Sequence, residues 1–180
     1  MQIIETKIPG LLIVAPRIFT DARGYFFESF SEKAFAAAGL PTTFVQDNQS
    51  CSQQGTLRGL HFQNAPHAQG KLVRVLSGTI FDVAVDIRPG SATYGQWVGV
   101  SLDATSHQMF YVPPGFAHGF YVTSPEAVVS YKCTTPYHPS AEGGIRWDDP
   151  ALAIDWPLVS GVPVTVSEKD KQWGTFSDVG

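Results

Sequence analysis

Two cysteines, Cys51 and Cys133, are all the chain contains, and no CxxC spacing occurs. That argues against a disulfide framework and a cysteine-ligated zinc centre, and leaves two small reduced residues in a core or on a strand. Charge is sparse as well: 16% of the 180 residues are charged, with a formal net charge of -4. Nothing global recruits nucleic acid or an anionic membrane, so an anionic ligand must be held by local cations. No run of about 18 apolar residues is present, and no charged N-terminal segment leads into an apolar one and a cleavage site. A soluble, cytoplasmic protein is the expectation. Repeats, low-complexity tracts and charge blocks are absent too. Residues 1–180 therefore read as one domain.

What the chain does have is a hydrophobic content of 43%, enough for a packed core, with 17 Gly and 13 Pro spread among short alternating runs. Such punctuation breaks helices and suits turns, so an all-β architecture follows. TTFVQDNQSCS, TLRGLHFQ, KLVRVLSG, TIFDVAVDIR, YGQWVGVSL, QMFYVPP, HGFYVT and AVVSYKCT read as strands, separated by turns such as Ser77-Gly78 and Pro113-Pro114-Gly115. Eight or more strands at this spacing indicate a sandwich or jelly-roll barrel. In TIFDVAVDIR, Phe81, Val83, Val85 and Ile87 alternate with Asp82, Ala84 and Asp86, which predicts one core face. One short helix is expected, from Ser31 to Ala38: Ser31 suits an N-cap, and Gly39 followed by Pro41 stops it. The apolar N-terminal strand would be a hazard as a free edge, and pairing it with a second copy would remove that edge.

Chemistry concentrates between Gly55 and Val75, in GTLRGLHFQNAPHAQGKLVRV. Read as strand, loop and returning strand, this stretch forms a hairpin that brings His61 close to Lys71, with Arg58 nearby. A base beside a fixed cation is what removal of a proton next to a carbonyl requires, because the charge left on oxygen must be stabilised where it forms. In AVVSYKC, Val129, Tyr131 and Cys133 share a face, so Tyr131 points into the barrel, as a core residue or as an acid/base group. PPGFAHGF has the form PxGxxH, half of the pattern of cupin barrels, but the other half lacks its HxH pair because Gln63 stands two residues after His61. The pattern therefore favours a barrel without a metal over a centre built from His61, His67 and His118. Arg23 in DARGYFFESF is either a solvated turn residue or a planar grip for phosphate. FVQDNQS supplies amides and an acid for directional hydrogen bonds. Asp148 and Asp149 in RWDDP read as a turn and cap rather than a hydrolytic pair. His107 and His138 have no motif around them.

DARGYFFESF, VQDNQS, LRGLHFQ, KLVRVLSGTIFDVAVDIR, PPGFAHGF, SYKCT and IRWDDPALAIDWP, taken in that order, closely resemble the dTDP-4-dehydrorhamnose 3,5-epimerase family over nearly the whole chain. The resemblance implies a cupin-like jelly roll, a homodimer with exchanged N-terminal strands, no metal or organic cofactor, and action on dTDP-4-dehydro-6-deoxyglucose on the way to L-rhamnose. It implies His61 as base, Tyr131 as proton donor on the opposite face of the sugar, Lys71 as the enolate-stabilising cation and Asp170 as the carboxylate orienting His61. Arg23 and Arg58 would hold the diphosphate and sugar, with Glu28, Gln46, Asp47 and Asn48 around the nucleotide. His118, Glu142 and Lys169 match further ligand-contacting positions, and Tyr137 an aromatic near the sugar. Regular alternation would put Arg58 and His61 on opposite faces, so a bulge at Gly59 is expected. The segment after Tyr131 departs from the family's aspartate and two tyrosines: Thr135, Pro136 and Tyr137 stand there, and Gly143 replaces a larger residue. Inversion at only C3 or only C5 is therefore the alternative, and a non-catalytic sugar-nucleotide binder a further one.

Overall fold

The structure is a computed structural model and describes residues 1–179. Thirteen strands and one α-helix are formed among them. One sheet has six strands in the order β1 (Gln2–Glu5), β2 (Leu12–Ala15), β10 (Met109–Val112), β7 (Lys71–Ser77), β12 (Glu126–Cys133) and β5 (Gln46–Gln53). The other has five: β13 (Glu142–Gly144), β6 (Leu57–Gln63), β11 (Phe116–Val122), β8 (Thr79–Asp86) and β9 (Trp97–Asp103). No ladder joins them, so the jelly roll is an open sandwich rather than a closed barrel. A small separate ladder pairs β3 (Phe19–Asp21) with β4 (Gly24–Phe26).

The predicted hairpin from Gly55 to Val75 is not one. β6 lies in the five-stranded sheet and β7 in the six-stranded sheet, so the loop between them crosses from wall to wall. Strand periodicity cannot distinguish a returning neighbour from a crossover, and each strand pairs with a more distant partner: β6 with β11, β7 with β10 and β12. His61 and Lys71 consequently face each other across the interior.

Three apolar clusters hold the layers together. The one between the sheets takes Val73, Val75, Ile80, Ala84, Phe110, Phe120 and Val129 from both walls. A second covers the outer face of the five-stranded sheet, where Val83, Val85 and Tyr121 meet Leu152 and Trp156 of the irregular C-terminal segment. β8 is thus buried on both faces, not one: Phe81, Val83 and Val85 face the C-terminal segment, and Ile80, Asp82 and Ala84 lie toward the interior. Asp149 anchors this cover by accepting hydrogen bonds from the amides of Ala151, Leu152 and Phe176. Asp148 pairs with Arg146 at 2.7 Å, so RWDDP is the expected turn and cap.

The third cluster lies on the outer face of the six-stranded sheet and seats α1 (Glu32–Ala37). Six residues are too few for an autonomous helix, and burial of Phe35 against Val14, Leu72 and Tyr111 supplies the stability. Ser31 stands at the N-cap position with extended backbone, but its hydroxyl makes no capping bond; its carbonyl accepts the Phe35 amide at 2.9 Å. The apolar strand β1 is an edge strand, paired within the chain to β2 in antiparallel register.

Gly59 shapes the site. From Arg58 to His61 β6 spends three steps where β11 spends two, from Phe120 to His118, which is the expected bulge. Gly59 has φ +130°, and a Cβ there would stand 2.5 Å from the Gly119 Cα. Only glycine permits both that conformation and that approach. The extra residue cancels the alternation, and Arg58 and His61 both reach the interior.

Candidate active site

A cavity of about 390 Å³ opens between the two sheets, and the side chains around it are sorted by wall. His61, Arg58 and His118 come from the five-stranded sheet, Lys71 and Tyr131 from the six-stranded one, and Asp170 and Lys169 from the C-terminal segment.

His61 Nε2 lies 2.7 Å from Asp170 Oδ1, which leaves Nδ1 without a protein partner. Asp170 begins a 3₁₀ turn, is 4% exposed at its side chain, and also accepts the Gly59 amide and the indole N–H of Trp173. Burial opposes its ionisation, but the hydrogen bond and charge of His61 and the Gly59 amide outweigh that, and its carboxyl lies below the usual carboxylate range. A fixed carboxylate on Nε2–H selects the tautomer whose Nδ1 is free to take a proton.

Lys71 stands opposite. Its ammonium has no hydrogen-bond partner among the described residues; burial pushes its pKa down, while Cys133, Asp82 and Glu142 pull it back up. Tyr131 pairs with Val73 across β7 and β12, so it shares the inner face with Lys71. Burial pushes its phenol up, which keeps the hydroxyl protonated near neutral pH. Arg58 bonds only the Ser52 hydroxyl through Nε, at 3.0 Å, and no carboxylate pairs with it among the described residues.

His118 is the register partner of His61 and binds Asp82 Oδ1 through Nε2 at 2.7 Å. Burial pushes its pKa down, with Asp82 acting against it, so the ring is neutral near pH 7. At the mouth, Glu142 accepts the Tyr137 phenol at 2.6 Å and pairs with Lys169. Gln46 and Asn48 face a recess shared with His61, Tyr131 and Tyr137, and the Tyr137 amide donates to Gln46 Oε1.

Three expected ligand contacts are not brought to this cavity within one chain. Asp47 lies on the outer face of β5, where its carboxylate holds Lys132 at 2.8 Å. Arg23 sits in the β3–β4 hairpin, 90% exposed at its side chain and bound to Asp21 of the same turn. Glu28 lines a separate recess beside Arg17 and Ser31. Nor do His61, His67 and His118 converge: His67 stacks on His138 with ring centroids 3.7 Å apart, and no group of three ligating side chains is found among the described residues. His107 packs against Tyr25 and Phe27.

Sequence reasoning missed two polar groups of the inner walls. Asp82 was assigned to the face away from the core, although it shares that face with Ala84. Ser50, whose buried hydroxyl has no partner among the described residues, shares the inner face of β5 with Gln46, Asn48 and Ser52. In both, period-two alternation carried the signal.

Fold and cavity define a class: a cupin-like jelly roll whose cavity gathers an imidazole, an amine and a phenol, groups with which an isomerase can move protons on carbon. The family model for dTDP-4-dehydrorhamnose 3,5-epimerase matches residues 5–178. The curated dTDP-4-dehydrorhamnose 3,5-epimerase of Methanothermobacter thermautotrophicus is 52% identical over 172 residues, covering 96% of this chain and 92% of that one. That of Escherichia coli is 50% identical over 180 residues, covering 99% and 96%. The crystal structure of a dTDP-6-deoxy-D-glucose-3,5-epimerase from Legionella pneumophila, in complex with dTDP-4-keto-L-rhamnose, superposes with a TM-score of 0.93 at 52% identity, covering 98% of this chain and 93% of that one. The chain belongs to the dTDP-4-dehydrorhamnose 3,5-epimerase family and is an isomerase.

Proposed function

We propose that the protein inverts C3 and C5 of dTDP-4-dehydro-6-deoxy-D-glucose to give dTDP-4-dehydro-L-rhamnose. The observation that carries this is the placement of His61 and Tyr131 on opposite walls of one cavity, with the Lys71 ammonium inside it. The C4 ketone acidifies the hydrogens on C3 and C5, so one base and one oxyanion site serve both neighbouring carbons. His61, oriented by Asp170, takes the proton through Nδ1. Lys71 stabilises the enolate oxygen. The Tyr131 phenol returns a proton from the other face, and the centre is inverted. Arg58 holds the diphosphate, while Gln46, Asn48, His118, Tyr137, Glu142 and Lys169 contact the ligand around it.

Arg23 and Glu28 enter this reading through a second copy. The β3–β4 hairpin presents Phe19, Tyr25 and Phe26, each about half exposed or more, beside Arg23. A homodimer with exchanged N-terminal strands places that hairpin over the partner's nucleotide, supplying aromatic faces for the base and Arg23 for phosphate. The edge position of β1 supports such an exchange. The protein acts in the cytoplasm as a single catalytic domain and uses no cofactor.

Incubation with the 4-keto sugar nucleotide in deuterated water tests the reaction: deuterium is expected at both C3 and C5, and exchange at neither overturns it. A second reading, inversion at one centre, is favoured by the fastening of the loop that carries Tyr137. Gln69 and Gln63 donate to the carbonyls of Thr135 and Pro136, and the phenol is tied to Glu142. Exchange at one position only supports it. A non-catalytic binder would show no exchange and would bind dTDP equally well before and after His61→Asn.

A further inference from the structure

The inner wall of the five-stranded sheet carries a carboxylate that this reaction does not yet use. Asp82 of β8 is fully buried, on the same strand face as Ile80 and Ala84. Its Oδ1 meets His118 Nε2 at 2.7 Å, and its Oδ2 is buried with no hydrogen-bond partner among the described residues. A carboxylate in such a place is costly unless a positive charge compensates it.

The charges around the cavity identify that positive charge. Asp170 is satisfied by His61, the Gly59 amide and the Trp173 indole, and Glu142 has Lys169. His118 contacts Asp82 but is neutral near pH 7, because burial lowers its pKa. Arg58 donates through Nε to the Ser52 hydroxyl and, in the reaction proposed above, holds the diphosphate. Lys71 remains: an ammonium without a hydrogen-bond partner, facing the same cavity as His118. The groups around Lys71 are Cys133 and Tyr131 of β12, Asp82 of β8, Glu142 of β13, His61 and Arg58 of β6, His118 of β11, and Asp170 and Lys169 of the C-terminal segment. Its neighbour across β10 is the apolar Val112. Of these three carboxylates, only Asp82 has neither a lysine partner nor a second hydrogen-bond donor among the described residues.

We propose that Asp82 is a positioning residue of the epimerase site, which from behind the cavity wall fixes the ring of His118 and supplies the counter-charge that keeps Lys71 an ammonium where the enolate oxygen forms. A neutral lysine brings no positive charge to the enolate, and burial alone drives Lys71 toward that neutral form. The inference rests on the epimerase reading, and the experiment separates the two.

Two measurements are made on the native protein, on Asp82→Asn, and on the double variant Asp82→Asn/His118→Gln, in which two amides can pair. The first is the pH profile of kcat/KM for exchange from solvent deuterium. Its alkaline limb carries Lys71 and Tyr131, which burial moves in opposite directions. The second needs no substrate: the lysine ¹³Cε resonances are titrated, with Lys71 assigned by its loss in Lys71→Arg. Removal of the carboxylate is expected to move both midpoints down by about one pH unit or more. A Lys71 midpoint unchanged in the folded variants, with activity reduced equally at every pH, overturns the role of Asp82. Native protein that exchanges neither C3 nor C5 overturns the epimerase reading instead, whatever the lysine titration shows.

Discussion

Two imidazole–carboxylate pairs stand side by side in this molecule, on adjacent strands and in register, with the same 2.7 Å separation. They differ in what surrounds them. The His61 side chain is 30% exposed at the cavity, and its partner Asp170 has other donors in the Gly59 amide and the Trp173 indole. The His118 side chain is 8% exposed, and its partner Asp82 has no other donor. The first ring meets the cavity, and its carboxylate keeps other donors. The second is part of the wall, and its carboxylate depends on it. Distance alone would assign both pairs the same role; exposure and the remaining partners separate them.

Substitution of each histidine is the sharpest way to break this contrast. His61→Asn is expected to lower solvent exchange at C3 and C5 by about 10² to 10⁴-fold, the usual worth of a positioned base. Binding of dTDP and the thermal midpoint should stay near native, because Asp170 retains two donors. A variant that keeps most of its exchange would show that His61 is not the base. His118→Leu should act chiefly on stability. It takes from Asp82 its one hydrogen-bond partner among the described residues and is expected to cost about 1–3 kcal/mol in urea unfolding. Unfolding that matches the native protein would mean that the inner pair is no more structural than the outer.

How far these roles could be read from the chain depended on the kind of information each needs. His61, Lys71, Tyr131 and Asp170 lie in segments that resemble family motifs, and the structure brings all four around one cavity. Which sheet a strand joins is set by long-range pairing, so the crossover between β6 and β7 was invisible to local periodicity. The face of Asp82 was legible in principle: it alternates with Val83, and both sides of β8 are covered once the C-terminal segment folds over it. Asp47 illustrates the same lesson, since its neighbours Gln46 and Asn48 point inward and alternation alone turns it out toward Lys132. Arg23 and Glu28 could not be placed from one chain, because their expected site lies on a second copy.

Asp170→Asn tests the outer pair from the carboxylate side. The amide keeps the size of the side chain but loses the charge that fixes the His61 tautomer. Exchange is expected to fall by about 10²-fold, as for a misoriented catalytic group, with little change in dTDP affinity. A loss confined to affinity would instead make Asp170 a ligand contact.

The smallest expected effect is on stability in acid, and it distinguishes the pairs without any substrate. The folded-state pKa of Asp170 is depressed below its unfolded value, so its contribution to stability is fully present above about pH 4 and is lost as pH falls through the folded value. Native protein should therefore lose more stability between about pH 5 and pH 2 than Asp170→Asn does, by urea unfolding at each pH. Asp86, whose carboxyl is also depressed through its bonds to Arg88, Ser91 and Thr93 despite its burial, adds the same sign in both proteins and cancels in the difference. Parallel acid curves for the two proteins would mean that the bonds to His61 and Gly59 do not favour the ionised carboxylate, and the tautomer assignment at the base would fall with them.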